Sequence, residues 1–137
     1  MPRVQNSDYR SLAAFRYEMR KFLAFSEKAA RGAGIEPQQH QLLLSLRGLP
    51  EDLRPTIGSV AERLCVQHHT AVALVDKLER RGFVLRERGT EDKREVLLRL
   101  TPKGNAILQA LSALHRAQLK EVGPKLVTAL RTILRES

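Results

Sequence analysis

The sequence predicts a mainly α-helical protein with about six helices and one two-stranded β-hairpin. The first observation behind this prediction is a pair of short amphipathic helices between residues 56 and 81, with Gly82 placed to end the second. The other is a basic hairpin that follows at once, with its tip at residues 89–95. This order of elements is that of a winged helix-turn-helix, an arrangement that binds duplex DNA.

Two helices are predicted before this unit. Residues 8–31 form the first, because apolar side chains recur at steps of three and four in a heptad-like seam, at Leu12, Phe15, Met19 and Phe22. Gly32 and Gly34 are placed to end it. The second helix is predicted over residues 38–47, with the apolar positions Leu42, Leu43 and Leu46. Proline and glycine then predict a loop over residues 48–55.

The helix-turn-helix itself is predicted from capping and periodicity. Thr56 is placed to cap its first helix, since the hydroxyl can accept a hydrogen bond from an otherwise unpaired backbone N–H. That helix extends to Leu64, with the apolar positions Ile57, Val60, Ala61 and Leu64. The second helix is predicted over residues 67–81, and its buried stripe is expected to be Ala71, Leu74, Val75 and Leu78.

The hairpin and the C-terminal part complete the predicted fold. Strands are predicted over residues 83–88 and 96–100, where alternation places Val96, Leu98 and Leu100 on one face. Pro102 suits the first position of a further helix, which is expected to end near Glu121 because Gly123 and Pro124 follow. A last helix is then expected, with the apolar positions Leu126, Val127, Leu130, Ile133 and Leu134.

Length and composition restrict the class of protein. The 137 residues predict one domain, and neither a membrane-spanning run nor a secretory leader is seen, so we expect a cytoplasmic protein without a membrane partner. A net charge of +9 and a pI near 10.4 indicate a polyanionic partner, with a basic solvated surface as the alternative. The aromatic content of 4% argues against single-strand binding, which depends on stacking platforms.

A compact winged-helix domain does not require all of the predicted terminal helices. Within a single domain of residues 1–137, we expect residues 38–101 to form the lobe that binds DNA, and the helices over 8–31 and 102–137 to dimerise. Apolar stripes left over from a small domain are usually buried in a second subunit. Packing of the same stripes onto the chain's own central lobe is the alternative.

Three segments carry a resemblance to a known family: residues 74–84, the run Asp92-Lys93-Arg94, and residues 100–104. With these spacings and this order of elements, nearly the whole chain resembles the MarR family of bacterial transcription regulators. The resemblance implies a homodimeric, ligand-responsive repressor on a pseudo-palindromic site with half-sites about one helical turn apart. It also implies an Asp-x-Arg element at the wing tip, here Asp92 and Arg94, and a small aromatic effector in a cleft, for which position suggests Phe22, Phe25, His40 and Leu44.

Arg94 is the main candidate for a contact in the minor groove. A guanidinium is planar, permanently charged and weakly hydrated, so it enters the narrow groove of A·T tracts at a low desolvation cost. Asp92, two residues earlier, is expected to bond to the loop backbone or to Arg94 and so to organise the tip. The alternative is an ordinary surface turn with an ion pair of little energetic consequence.

The predicted DNA-binding residues lie on the second helix of the pair and on the hairpin: His68, His69, Thr70, Val72, Ala73, Lys77 and Arg81, then Arg86, Arg88, Lys93 and Arg94. His69 and Thr70 are expected to reach bases or phosphates, and Lys77 and Arg81 to reach phosphates. Val72 and Ala73 stand where the family usually has polar or basic residues, which leaves them apolar contact with a thymine methyl. They also keep open an alternative function, an architectural or protein-interaction module with nonspecific DNA binding.

Catalysis, cofactors and bound metal are not expected. The sequence has no glycine-rich phosphate loop, no GxSxG elbow and no HExxH motif. Cys65, His68 and His69 include good zinc ligands, but no second pair stands at zinc-finger spacing. Cys65 is instead expected to be a small buried side chain in the turn between the two helices. A redox switch is the open alternative, since basic residues flank the region.

Overall fold

A computed structural model describes residues 3–135, which form five helices and two strands. The elements are α1 (Asn6–Gly32), α2 (Pro37–Arg47), α3 (Ile57–Leu64), α4 (His68–Arg80), β1 (Val84–Arg88), β2 (Val96–Leu100) and α5 (Pro102–Arg135). Residues 1, 2, 136 and 137 of the predicted domain lie outside the described residues. Within residues 3–135, no helix is both long enough and apolar enough to cross a bilayer. The predicted mainly helical fold with one antiparallel hairpin is confirmed.

Residues 30–111 form one compact unit, which contains the helix-turn-helix and the hairpin. In it, α2, α3 and α4 pack on one another, β1 contacts α4, and β2 contacts α2. The core consists of almost completely buried side chains, among them Ile35, Leu42, Leu43, Val60, Val75, Leu78 and Val84. The four apolar residues predicted for α4 and the three predicted for α2 are all buried, which confirms the predicted orientation of both helices.

The helix-turn-helix has a capped start and a left-handed turn. Thr56 Oγ1 accepts a hydrogen bond from the Ser59 backbone N–H at 3.2 Å, as predicted for the N-cap of α3. Cys65, which follows α3, adopts φ 57° and ψ 42°, a conformation that is uncommon for a residue with a Cβ atom. Its side chain is exposed, so the prediction of a buried Cys65 is wrong. The reason is local: Cys65 reverses the chain at the surface, and Val60 and Ala61 fill the core positions of α3.

Gly82 ends α4 and leads into the hairpin. Its φ of +78° is left-handed, and the N–H groups of Gly82 and Phe83 donate to the carbonyls of Glu79 and Leu78, so the predicted glycine stop is confirmed. β1 and β2 pair antiparallel, and the register places Arg86 opposite Leu98. Leu98 is buried whereas its neighbour Arg99 is exposed, in agreement with the predicted alternation.

The described parts of residues 1–29 and 112–137 form a second compact unit, which contains most of α1 and the part of α5 that begins at residue 112. Here the prediction of two C-terminal helices is wrong, because α5 continues through Gly123 and Pro124. The described residues therefore form five helices and not the predicted number of about six. A proline inside a helix removes one backbone hydrogen bond and crowds the preceding turn, at about 3 kcal/mol. Pro124 is exposed, so water can hydrate the carbonyl that loses its donor. Contacts with α1 support α5 before the proline, where Ser26 bonds to His115, and residues of both helices line a groove beyond it.

Candidate nucleic-acid interface

One face of α4 lies outside the core. His68, His69, Ala73 and Lys77 are exposed, while Thr70 and Val72 are half-buried. Because the buried stripe occupies the other side of α4, these six side chains stand on a rigid helix that the core holds in place. The first turn of α4 also brings unpaired backbone N–H groups to the end that carries His68 and His69, which favours an anionic group such as a phosphate.

The tip of the hairpin presents an arginine to solvent. The Arg94 side chain is 94% exposed. Asp92 Oδ1 accepts hydrogen bonds from the Arg94 backbone N–H at 3.0 Å and from Arg94 Nε at 3.4 Å, so both contacts considered for Asp92 are present. Arg88 donates to the Lys93 carbonyl at 3.1 Å and thereby restrains the loop from β1. The tip is therefore a polar loop organised by its own side chains.

Arg86 has a different environment. Its two terminal nitrogens donate to Asp76 Oδ1 and Glu79 Oε1, each at 2.6 Å, and so tie β1 to α4. The hydrogen bond to Asp76, together with the Glu79 carboxylate, raises the pKa of the Arg86 guanidinium above its ordinary value. A DNA contact for Arg86 would have to compete with both carboxylates. The structure thus places Arg86 where it sets the position of the hairpin relative to α4.

Arg81 is also engaged inside the lobe. Its guanidinium donates to Gln39 Oε1 at 3.1 Å and to the Gly34 carbonyl at 2.6 Å. It lies 5.0 Å from the ring centre of Phe83, and Lys103 lies 4.7 Å from the same centre. These contacts tie the end of α4 to the segment before α2. Among the predicted cationic ligands, Lys77, Arg88, Lys93 and Arg94 are the exposed ones for which the structure shows no comparable tie to another helix.

A further ion pair joins the hairpin to the loop before α3. Arg54 Nη2 donates to Glu95 Oε1 at 2.6 Å, and this bond raises the pKa of Arg54. Beside it, the Leu98 N–H donates to the Pro55 carbonyl at 2.7 Å. Sequence reasoning missed this pair, because its members are 41 positions apart and no local pattern joins them. Sequence reasoning also missed Asp76 and Glu79 as partners of Arg86. Their spacing of three residues places both carboxylates on the same side of α4, which was a usable signal for a shared cationic partner.

The four residues considered for an effector site belong to two different units. Phe22 and Phe25 lie in the α1–α5 unit, where both rings meet the His115 ring edge-on, with ring centres 5.9 and 5.6 Å from it. His115 also shares a 2.7 Å hydrogen bond with Ser26. In the unit of residues 30–111, His40 is buried and Leu44 is exposed. The structure therefore brings Phe22 and Phe25 together around a histidine that sequence reasoning did not include.

The residues considered for zinc do not form a cluster. Within residues 3–135, no three His, Cys, Asp or Glu side chains are grouped closely enough to hold a metal ion. Cys65, His68 and His69 are each exposed at the turn and the start of α4. This end of the lobe instead offers imidazole, hydroxyl and ammonium groups, which suit phosphates and base edges.

The sequence is similar to those of known regulators. The MarR family model matches residues 35–96, from the segment before α2 to the start of β2. The HTH-type transcriptional regulator YkoM of Bacillus subtilis strain 168 is 35% identical over 115 residues, which are 80% of this chain and 71% of YkoM. The HTH-type transcriptional repressor YetL of the same organism is 34% identical over 91 residues, which are 66% of this chain and 54% of YetL. This chain thus spans about half the length of YetL.

The fold is similar to that of a regulator solved together with DNA. The transcriptional repressor CouR, bound to a 23-mer DNA duplex, superposes with a TM-score of 0.67 and is 27% identical to this chain. The superposition covers 89% of this chain and 90% of CouR. The likeness therefore includes the helices that flank the winged helix-turn-helix as well as the lobe itself.

Proposed function

The chain belongs to the MarR family of transcription regulators, and on this premise we propose that it is a sequence-specific, ligand-responsive repressor that binds double-stranded DNA as a homodimer. The observation that carries the proposal is the almost fully exposed Arg94 at a self-organised hairpin tip, in the same compact unit as the open face of α4. A helix of this kind fits the major groove, and an arginine on a loop fits the narrow minor groove.

Affinity and specificity have different sources in this proposal. Lys77 and Lys93 neutralise phosphates and release counterions, which gives affinity without information about sequence. His69, Thr70 and Arg94 contact the grooves, where base identity and groove width are read. The ties of the hairpin to α4 and to the loop before α3 fix the distance between these two contacts before DNA arrives.

The homodimer is supported by the apolar surface of the α1–α5 unit. Large apolar side chains are exposed there, including Leu12 at 49%, Leu130 at 41% and Leu134 at 74%. Several large apolar side chains exposed on one small unit favour an interaction site there. Two copies that pack α1 and α5 together should bury about 2,000 Å² or more, the range of obligate dimers. Two-fold symmetry then implies a pseudo-palindromic DNA site.

Repression and ligand response are supported by relatives and by position. YetL is named a repressor, and CouR is a repressor that binds DNA. For the effector we propose a small aromatic molecule, because Phe22 and Phe25 already gather aromatic edges around His115 and such rings favour another ring. A role of His40 and Leu44 in binding the effector remains a prediction that is based only on their positions in the sequence. The protein would act in the cytoplasm, where its DNA lies.

An architectural module with nonspecific DNA binding is the second candidate. It is favoured by Val72 and Ala73, because these side chains stand on the open face of α4 and cannot form hydrogen bonds with a base. The two candidates differ in sequence preference: a regulator discriminates among duplexes, whereas an architectural module does not.

The salt dependence of binding separates phosphate contacts from base contacts. If a dimer neutralises about six to ten phosphates, log affinity should fall linearly with log salt, with a slope of about −5 to −9. Lys77→Ala should flatten the slope by roughly one unit per subunit contact and weaken all sequences alike. His69→Ala or Thr70→Ala should instead change which sequences are preferred.

Anisotropy titrations of several labelled duplexes at a series of salt concentrations measure both quantities. Each variant is compared with the wild-type protein on the same duplexes, so that slope and preference come from one data set. If Lys77→Ala changed the preference while His69→Ala and Thr70→Ala left it intact, the proposed orientation of α4 in the groove would be wrong.

A further inference from the structure

A small cavity lies between α2, the end of α3, the turn that follows α3, and α4. Its volume is about 250 Å³, and all of its lining residues belong to the compact unit of residues 30–111. Sites for drug-sized molecules usually have about 300–1,000 Å³, so this cavity suits a smaller molecule of one or two rings. The lining residues are Gln38, Gln41, Ser45, Arg63, Leu64, Val66 and Leu74.

The polar part of the lining comes from α2. Gln38, Gln41 and Ser45 are spaced by three and four residues, which places them one above another on the same side of the helix. Within residues 3–135, the structure shows a hydrogen bond for only one of these side chains, between Gln41 Nε2 and His40 Nδ1 at a long 3.4 Å. The amide and hydroxyl groups on this side of α2 are therefore available to a ligand.

The rest of the lining combines apolar surface with a single cation. Leu64 and Val66 are half-buried and Leu74 is buried, so together they give the cavity an apolar floor. Arg63, in the last turn of α3, is exposed, and no aspartate or glutamate of residues 3–135 lines the cavity beside it. An apolar surface with a few convergent polar groups is the usual composition of a small-molecule site.

The polar groups define the chemistry of the ligand. A carboxamide has N–H donors beside a C=O acceptor, so the two glutamines are satisfied together only by a ligand that also carries both kinds of group. A lactam has this pairing, because a ring N–H stands beside a ring C=O, whereas a carboxylate has acceptors alone. The Arg63 guanidinium can donate to a ring carbonyl or stack on a planar ring, and the apolar floor can cover the face of that ring.

We propose that this cavity binds a planar lactam heterocycle, which is the chemistry of a nucleobase, with its edge on the amides of α2 and its face on the apolar floor. The site is separate from the aromatic rings of Phe22 and Phe25, which belong to the other unit. It is a further source of the ligand response in the proposed function, and its regulatory role rests on that function. The bound molecule contacts α2, α3 and α4, so it links the helix that carries the open face to the rest of the lobe. By linkage, the factor by which it changes DNA affinity equals the factor by which DNA changes its own affinity.

Ligand-observed NMR titrations of the full chain without DNA test the site, so the result does not depend on whether the protein is a repressor. Uracil or hypoxanthine should bind with a Kd of about 1 mM or tighter. Dimethyluracil, in which both ring N–H groups are methylated, should bind at least about tenfold more weakly than uracil, because a site built to hydrogen-bond a group rejects an analogue that lacks it. Equal affinity for uracil and dimethyluracil overturns the proposal, as does the absence of binding by both bases. Benzoate that binds more tightly than either base also overturns it, since the cavity is then an anion site.

Variants locate the binding in this cavity. Gln41→Leu, which nearly keeps the size of the side chain and removes the amide, should weaken the binding of the base at least about fivefold. Gln109→Leu is the matched control, since Gln109 is an exposed glutamine of α5 in the same unit but outside the cavity, and it should bind like the wild type. Ser45→Leu, which fills the cavity, is the second variant and should abolish binding. Urea denaturation checks that each variant is folded. Wild-type affinity in folded Gln41→Leu and Ser45→Leu proteins places the ligand elsewhere and overturns the proposal.

Discussion

Replacing Arg94 with alanine is expected to weaken the binding of a cognate duplex by about 1–3 kcal/mol, or roughly 5- to 150-fold, without unfolding the protein. Arg94 is 94% exposed, and its contacts in the free protein are those with Asp92 inside the same loop. A minor-groove arginine gains most of its interaction energy only when DNA is present, because the groove supplies the negative potential. The free energy of unfolding should therefore change by less than about 0.5 kcal/mol.

Anisotropy with a cognate duplex measures the affinity, and urea denaturation measures the stability. Arg47→Ala, which removes the same charge from the exposed end of α2, controls for the loss of net charge. We expect this control to bind within about threefold of the wild type, because Arg47 is not among the residues proposed to contact DNA, and its charge then acts only through a screened field. Unchanged binding of the cognate duplex by Arg94→Ala would show that the hairpin tip does not enter the groove.

Gly104→Ala is expected to destabilise the lobe by about 2–3 kcal/mol or more. Gly104 stands in the first turn of α5, where a Cβ atom would collide with the carbonyl oxygen of Phe83. That carbonyl cannot withdraw, because it accepts the Thr101 N–H at 3.0 Å. Thr101 Oγ1 donates to the Gly82 carbonyl at 2.6 Å and accepts the Gly104 N–H at 3.0 Å, so the same segment joins the start of α5 to the end of α4.

Urea denaturation of Gly104→Ala beside Asn105→Ala checks this result. Asn105 is exposed one position further along α5, and alanine is the better helix former, so this control should be neutral or slightly stabilising. DNA affinity of Gly104→Ala should fall only as far as the folded fraction does, since Gly104 is buried. A Gly104→Ala protein as stable as the wild type would mean that the start of α5 can move away from Phe83.

The elements that the sequence predicts well are those set by neighbours in the chain. The buried stripe of α4, the Thr56 cap and the Gly82 stop each depend on residues within about two helical turns, where periodicity and capping preferences act directly. The bounds of β2, predicted as residues 96–100, agree with the structure for the same reason. Gly104 belongs to the segment that carries the family resemblance. The need for glycine at this position is explained only by the folded protein, in which the Phe83 carbonyl lies where a Cβ atom would be.

The features that sequence reasoning missed depend on distant contacts. Pro124 predicts a helix break, yet α5 continues, because an exposed proline costs one hydrogen bond and Ser26 of α1 bonds to His115 of α5 before it. Arg86 and Arg88 are alike in sequence, but only Arg86 meets two carboxylates of α4. The pair of Arg54 with Glu95 joins segments that no period connects. These pairings decide which cations are exposed for DNA, and they could not be deduced from charge alone.

Sequence-specific binding of duplex DNA is tested most directly by competitive selection from fragmented genomic DNA. Bound fragments are recovered at a fixed salt concentration near the physiological one, and the affinity of the most enriched fragment is compared with that of a random duplex of equal length. A sequence-specific regulator should prefer the enriched fragment by about 10³-fold or more, and the enriched fragments should share a pseudo-palindrome. Equal affinity for enriched and random duplexes would contradict sequence-specific binding and assign the protein to architectural, nonspecific binding.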